Sequence, residues 1–299
     1  LGLGYGDFTN AVGTTAGCFY SENGGGYSPT GGWAAYGTNR NVNIGGDFRP
    51  VTNTVPFLNN IILGSADADA TVTFQNPICV TNSPMSFYSY NGSADVDGRV
   101  SGIVTNLIAS PSLYKYGNGT LELTGTNTMA GTVNIYEGDL RMSGLLTTAI
   151  NVKTNGTLSG SGTMTNSVIV EAGGCLAIKN TLGTTTFKGA LTLNSASILK
   201  ITLDGSNMTG ALFSGTSKKL SNAGPVVCYV YAANKEVATG TVKIIDWSTA
   251  TTPNVGSLDA TKFSIANPAE FTGSFSIQGN ALVLNYRNLA AKPMIIVIR

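Results

Sequence analysis

The sequence predicts an all-β chain wound as a parallel β-solenoid, and three observations predict it. The tripeptide G-x-L recurs as Gly119-Thr120-Leu121, Gly138-Asp139-Leu140, Gly156-Thr157-Leu158 and Gly174-Cys175-Leu176, with leucines 19, 18 and 18 residues apart. From the second unit on, each tripeptide follows an alternating run: VNIYEGDL, INVKTNGTL and VIVEAGGCL. In these runs Val133 and Ile135, Ile150 and Val152, and Val168 and Val170 sit two apart, which places each pair on one strand face. The third observation is composition: 38 glycines and only 11% charged residues, against about 25% in an ordinary soluble domain.

A period of about 18 residues is too short for a helical-hairpin repeat or a propeller blade. It fits one solenoid turn of short strands, stacked on the next turn at the inter-strand spacing of ~4.8 Å. The glycine before each leucine is expected at a corner needing unusual backbone angles. Leu121, Leu140, Leu158 and Leu176 are expected to form one buried ladder, with Thr and Asn ladders facing outward. The pattern repeats because a single coil cannot bury its own apolar face. The competing fold is a sandwich of short strands with turns every ~8–12 residues; the near-constant spacing favours the solenoid.

Three segments follow. Residues 1–40, with GCFYSENGGGYSPTGGWAAYG, read as an N-terminal cap or extension rich in Gly and aromatics, covering a strand edge. Residues 41–205 read as the solenoid: less regular coils to about 115, the clearest units over 113–180, and one more coil in LTLNSASILKITLDG. Residues 206–299 read as a β-rich, irregular C-terminal extension. It carries KKLSNAGPVVCYVYAAN and TVKIIDWSTATTPN as stronger strands with longer loops, then FSIQGNALVLNY. Met294, Ile295, Ile296, Val297 and Ile298 follow Pro293 as an unbroken apolar run of strand formers. Such a run is expected to dock by β-augmentation, on its own solenoid or on another copy; the second contact does not close and generates a filament.

The chemistry that composition allows is narrow. Histidine is absent, which removes the commonest general base and metal ligand together. Net charge is +1, so nothing points to nucleic acid or an anionic membrane surface. Cys18, Cys79, Cys175 and Cys228 show no C-x-x-C spacing. They permit two disulfides in an oxidising compartment, or four buried thiols. No uninterrupted apolar segment approaches the ~18 residues of a membrane-spanning helix. The opening LGLGYGDFTN lacks the basic start and apolar run of a signal peptide, so the chain reads as a mature form or a fragment.

Two acid pairs deserve weighing, Asp67 with Asp69 and Asp95 with Asp97. At i, i+2 on a strand both carboxylates leave one face, as calcium binding or acid–base chemistry requires. An exposed polar face on a half-buried strand needs no such chemistry and is the plainer reading. Tyr20, Tyr27, Trp33 and Tyr36 offer a sugar-stacking platform, or simply the packing of a cap. Gly24-Gly25-Gly26 and Gly31-Gly32 lack the Gly-Lys-Thr of a phosphate loop. The sequons at Asn91, Asn118, Asn155 and Asn207 follow from the Asn/Gly/Thr composition.

The stretch KYGNGTLELTGTNTMAGTVNIYEGDLRMSG resembles the autotransporter-associated β-strand repeat of bacterial passenger domains. Lys115, Gly117, Gly119, Thr120, Leu121, Leu123, Gly125, Asn127, Thr128 and Gly131 carry the resemblance, and GTLSGSGTM and VIVEAGGCLAIKN continue it. It is strong over 113–180, about a quarter of the chain, and weak elsewhere. It implies a right-handed parallel β-helix on the cell surface of a Gram-negative bacterium, with no shared catalytic residues; from the residues themselves no cofactor and no metal are expected. The sequence lacks the translocating barrel of true autotransporters. The expectation is therefore a secreted or surface-exposed structural protein: stalk, adhesin passenger or self-assembling filament subunit, with itself or surface glycans as partners. The alternatives are a carbohydrate-active β-helix lyase or hydrolase, and a glycan-binding module.

Overall fold

The computed structural model describes residues 1–4, 6–9, 30–45, 60–80, 84–106, 111–179, 183–203, 213–215, 219–233, 237, 239–247 and 254–289. Its regular coils each contain three short strands separated by corners. One coil holds Leu113–Tyr116, Thr120–Leu123 and Thr126–Asn127; the next holds Thr132–Ile135, Gly138–Met142 and Leu145–Leu146; the third holds Ala149–Val152, Gly156–Gly160 and Thr163–Met164. Every strand pairs in parallel with its counterpart one coil away. Three long parallel sheets result, so the fold is a parallel β-helix. The first sheet runs from Gly2–Leu3 to Asn254–Ser257 and the second from Arg40–Val42 to Phe263–Ile265. The third begins at Thr126–Asn127. In earlier coils the third side is taken by the pair Ile78–Val80 and Val104–Asn106, reached through the Thr128 N–H, which donates to the Val104 carbonyl at 2.9 Å.

Register turns the sequence period into packing. Leu121, Leu140, Leu158 and Leu176 are successive register partners on the second sheet, and the column continues through Leu199 to Cys228. All six side chains are fully buried. Opposite them, the first sheet sends in Val133, Ile150, Val168 and Leu191 as one column and Ile135, Val152, Val170 and Leu193 as a second, again all buried. Leu146, Met164 and Phe187 fill the third side. Each such side chain contributes about 1.5–3 kcal/mol relative to exposure.

The corner glycines behave differently from expectation. Of the glycines preceding the ladder leucines, Gly138 has a positive φ, at 67°. In the next two coils the left-handed residue is one position earlier, at Asn155 (φ 68°) and Gly173 (φ 72°). Gly156 and Gly174 are required for space instead. A Cβ on them would lie 2.1 Å from the Ile135 carbonyl oxygen and 2.4 Å from that of Val152, in the coil beneath.

The coil stack also extends past the expected limits of 41–205. At its start Thr30–Ala35 already pairs in parallel with Asn60–Leu63. At its end Val226–Ala232 pairs with Ser197–Leu203 over seven residues, and Phe263–Ile265 adds a further rung. What breaks the sequence pattern after residue 205 is loop length, not coil geometry. The third sheet alone changes character. Thr239–Asp246 joins Phe213–Gly215 in parallel, then pairs antiparallel with Ala281–Asn288, which pairs antiparallel with Phe271–Gln278. FSIQGNALVLNY thus forms a hairpin turning at Gly279 (φ 60°).

Two buried indoles anchor aromatic clusters within the core. Trp33 is 1% exposed and packs its ring 5.7 Å from both Phe8 and Phe74. Trp247 is fully buried and stacks on Phe187 at 6.4 Å. The indole of Trp247 occupies the volume a side chain at Gly215 would need, since a Cβ there would lie 1.9 Å from the ring.

Candidate functional site

The outer face of the first sheet carries a tyrosine ladder. Tyr88 and Tyr116 are register partners in Met85–Tyr88 and Leu113–Tyr116. Tyr114 lies two residues before Tyr116, on the same outward face, and Tyr136 follows directly after Thr132–Ile135. Tyr88 stacks on Tyr116 at 5.3 Å and 22°, and Tyr116 on Tyr136 at 5.0 Å and 8°. Tyr114 stands edge-on to both Tyr116 and Tyr136, at 6.2 and 5.7 Å. Such pairs contribute about 0.5–1.5 kcal/mol each beyond area burial. Burial first, then the neighbouring rings of Tyr136, Tyr88 and Tyr114, hold the Tyr116 phenol above its usual value. Tyr136, at the end of the stack, is 38% exposed, and Tyr90 nearby is 40% exposed.

The column beside the ladder is uncharged. Ser86, Tyr114, Asn134 and Asn151 are successive register partners. Asn151 donates to the Asn134 carboxamide oxygen at 3.1 Å, and Asn134 donates to Thr132 Oγ1 at 3.1 Å. Ser86 and Asn134 are largely covered, so this face presents mainly tyrosine rings and phenols, with the Asn151 carboxamide at its side. The sequence contains the signal in SFYSY, LYKY and NIYEG, but the tyrosines align only once coil lengths are known.

The candidate acids diverge instead of converging. Asp95 and Asp97 lie outside the strands. The exposed Asp95 carboxylate meets the guanidinium of Arg141, 2.6 Å away and 4% exposed. Asp97 is 1% exposed. Its two oxygens accept from the Gly92 and Thr120 backbone N–H groups, both at 2.7 Å. It is a corner clamp, which is why a carboxylate sits inside the fold. Asp67 and Asp69 are exposed in a turn. Asp67 accepts from the hydroxyls of Ser65 and Tyr36, which hold its carboxyl below the usual range. Asp69 accepts from the Gly37 N–H at 2.6 Å. Among the described residues no three His, Cys, Asp or Glu side chains converge to hold a metal ion.

Trp33 is in the core, so it presents no sugar platform. Tyr36 is tied to Asp67, while Tyr20 and Tyr27 lie outside the described residues. Cys175 and Cys228 carry free buried thiols. A disulfide between these two is ruled out by register: Cys228 belongs to the inward leucine column, whereas Cys175 pairs with Thr157 on the outward one. Burial pushes their thiols up, to about 11 and about 12. Cys79 is buried in Ile78–Val80, and Cys18 lies outside the described residues. So does the apolar run Met294, Ile295, Ile296, Val297 and Ile298. Among the described residues no helix is long and apolar enough to cross a membrane. Compared with known protein families and with curated proteins, the sequence matches none.

Proposed function

We propose that this chain is a non-catalytic structural β-helix of a secreted or cell-surface protein, serving as a stalk, adhesin passenger or filament subunit. The observation that carries the reading is how the carboxylates are used. Asp97 clamps two backbone N–H groups, Asp95 pairs with Arg141, and Asp67 and Asp69 tie a turn. These are the commitments of a rigid rod, whose side chains hold one coil to the next. Electron microscopy of the native material, with a turnover screen on pectins, alginates, mucin glycans and chitin, tests it. Elongated particles or fibres without turnover are expected. Turnover abolished by Asp95→Ala or Asp97→Ala overturns it in favour of a carbohydrate-active enzyme.

A second reading, attachment to surface glycans, is favoured by the tyrosine ladder and its uncharged neighbours. It is compatible with a stalk. A neutral-glycan array compared between the parent and Tyr136→Ala decides it: signal in the parent lost in the variant supports attachment, and no signal in the parent removes it.

A further inference from the structure

One rung of an apolar column is charged. Ile61, Phe87, Lys115, Ile135, Val152, Val170 and Leu193 are successive register partners on the inward side of the first sheet. Lys115 is fully buried there. Its ammonium donates to three backbone carbonyls: Tyr116 at 2.9 Å, Gly117 at 2.7 Å and Glu137 at 3.1 Å.

The corners explain why a cation is needed at this rung. Later corners close with a backbone turn bond: Gly156 N–H to the Lys153 carbonyl, Gly174 to Glu171 and Ser197 to Asn194, at 2.9–3.0 Å. The corner after Lys115 does not close this way, because the Gly119 N–H reaches to the Ser89 carbonyl at 2.8 Å. The following corner is shorter. Five positions separate Lys115 from Thr120, Val152 from Thr157 and Val170 from Cys175, but four separate Ile135 from Asp139. Lys115 reaches the Glu137 carbonyl within that short corner, and the Glu137 carboxylate reaches back to the Gly117 N–H at 3.2 Å.

We propose that the carbonyls of Tyr116, Gly117 and Glu137 form a seat for a primary ammonium group, which Lys115 fills from within, latching an unclosed corner to a shortened one. The charged groups around the seat are Asp139 and Glu137 from the coil above and Asp97 from the corner below. Burial pushes the ammonium down to about 8, and the three carboxylates act against that shift. A buried ammonium with three oxygen acceptors is satisfied; an apolar group in its place leaves those carbonyls short of a donor.

Thermal unfolding at pH 7 of Lys115→Ala and Lys115→Met tests the seat, each with ethylammonium or tetramethylammonium chloride at equal ionic strength. Both variants are expected to melt more than about 5 °C below the parent. Ethylammonium is expected to raise Lys115→Ala saturably, tetramethylammonium is not, and Lys115→Met, whose thioether fills the space without a donor, responds to neither. A Lys115→Met melting temperature equal to or above the parent's overturns the latch, and so does Lys115→Ala indifferent to ethylammonium. If neither variant folds, the parent decides. A nitrogen-15 spectrum showing one lysine ammonium protected from solvent exchange at pH 7, and lost on alkaline titration, supports the seat. Solvent-like exchange for every lysine overturns it. None of these readouts depends on the biological role proposed above.

Discussion

The coils from Ala149 to Leu193 and the sheet that follows Thr239 use similar residues to solve opposite problems. In the coils, strands of two to five residues pair with strands one coil away, so every strand-to-strand bond is non-local and every coil depends on its neighbours. In the terminal sheet, three eight-residue strands pair antiparallel, two of them joined by a tight turn. The coils propagate; the hairpin terminates. Its inner strand is buried along most of its length, while its outer strand, FTGSFSIQ, is largely exposed and polar. A stack grown by repetition needs an ending made by a different rule.

The comparison is sharpest when each region is damaged at its own weak point. Leu140→Asp places a carboxylate in the sealed leucine column and is expected to cost more than about 4 kcal/mol. Leu289→Asp, at a residue 45% exposed, should shift denaturant midpoints negligibly. If the two variants unfold alike, the column is not the core. Trp247→Ala, which empties the slot above Gly215, is expected to cost about 3–5 kcal/mol. Limited proteolysis should then cut the terminal hairpin before the coils; cleavage starting in the coils contradicts the separation of roles.

The pH profile separates the Lys115 coil from its neighbours. With its native value at about 8 against an ordinary 10.5, the two states bind this proton equally below pH 8. Above it the unfolded chain holds the proton that the native chain releases, so stability rises with pH. Between pH 8 and 9.5 the parent should gain on the order of 1–2 kcal/mol relative to Lys115→Met, read from urea midpoints below the tyrosine range. The neutral amine still donates to the carbonyls, which methionine does not. A flat difference between the two profiles contradicts the assignment.

The smallest effect is a gain. Ala196 occupies the left-handed corner position (φ 63°), with its Cβ in solvent. Ala196→Gly relieves that strain, and after the greater freedom of glycine in the unfolded chain it should stabilise by about 0.5–1 kcal/mol. Calorimetry that shows a loss instead would mean the corner is not left-handed.

How much of this was legible in the sequence follows from what repeats. The leucine column and the alternating pairs were legible because a coil writes the same inward positions each time, and Leu199 and Cys228 extend the column once Leu176 is placed. The coils after residue 205 were not, because longer loops hide an unchanged strand register. The spacing alone could not separate a glycine needed for its φ from one needed for space; Gly156 and Asn155 divide those tasks. Asp95 and Asp97 have the i, i+2 spacing of a strand pair, but the chain turns a corner there. The tyrosine ladder and the Lys115 seat do not align in the sequence for one reason: each depends on residues a coil apart, and coil lengths there are unequal.

The central claim is that consecutive coils stack in parallel register. It is tested most directly by cross-linking outward-facing partners on the first sheet. Asn134 and Asn151 are register partners, at the separation a disulfide spans, whereas Asn134 and Ile169 are two strands apart, about 9.6 Å. Asn134→Cys with Asn151→Cys should oxidise to an intramolecular disulfide in the folded chain, seen as a mass loss of two hydrogens. Asn134→Cys with Ile169→Cys should not. Cross-linking in the second pair and not the first contradicts the stacked β-helix.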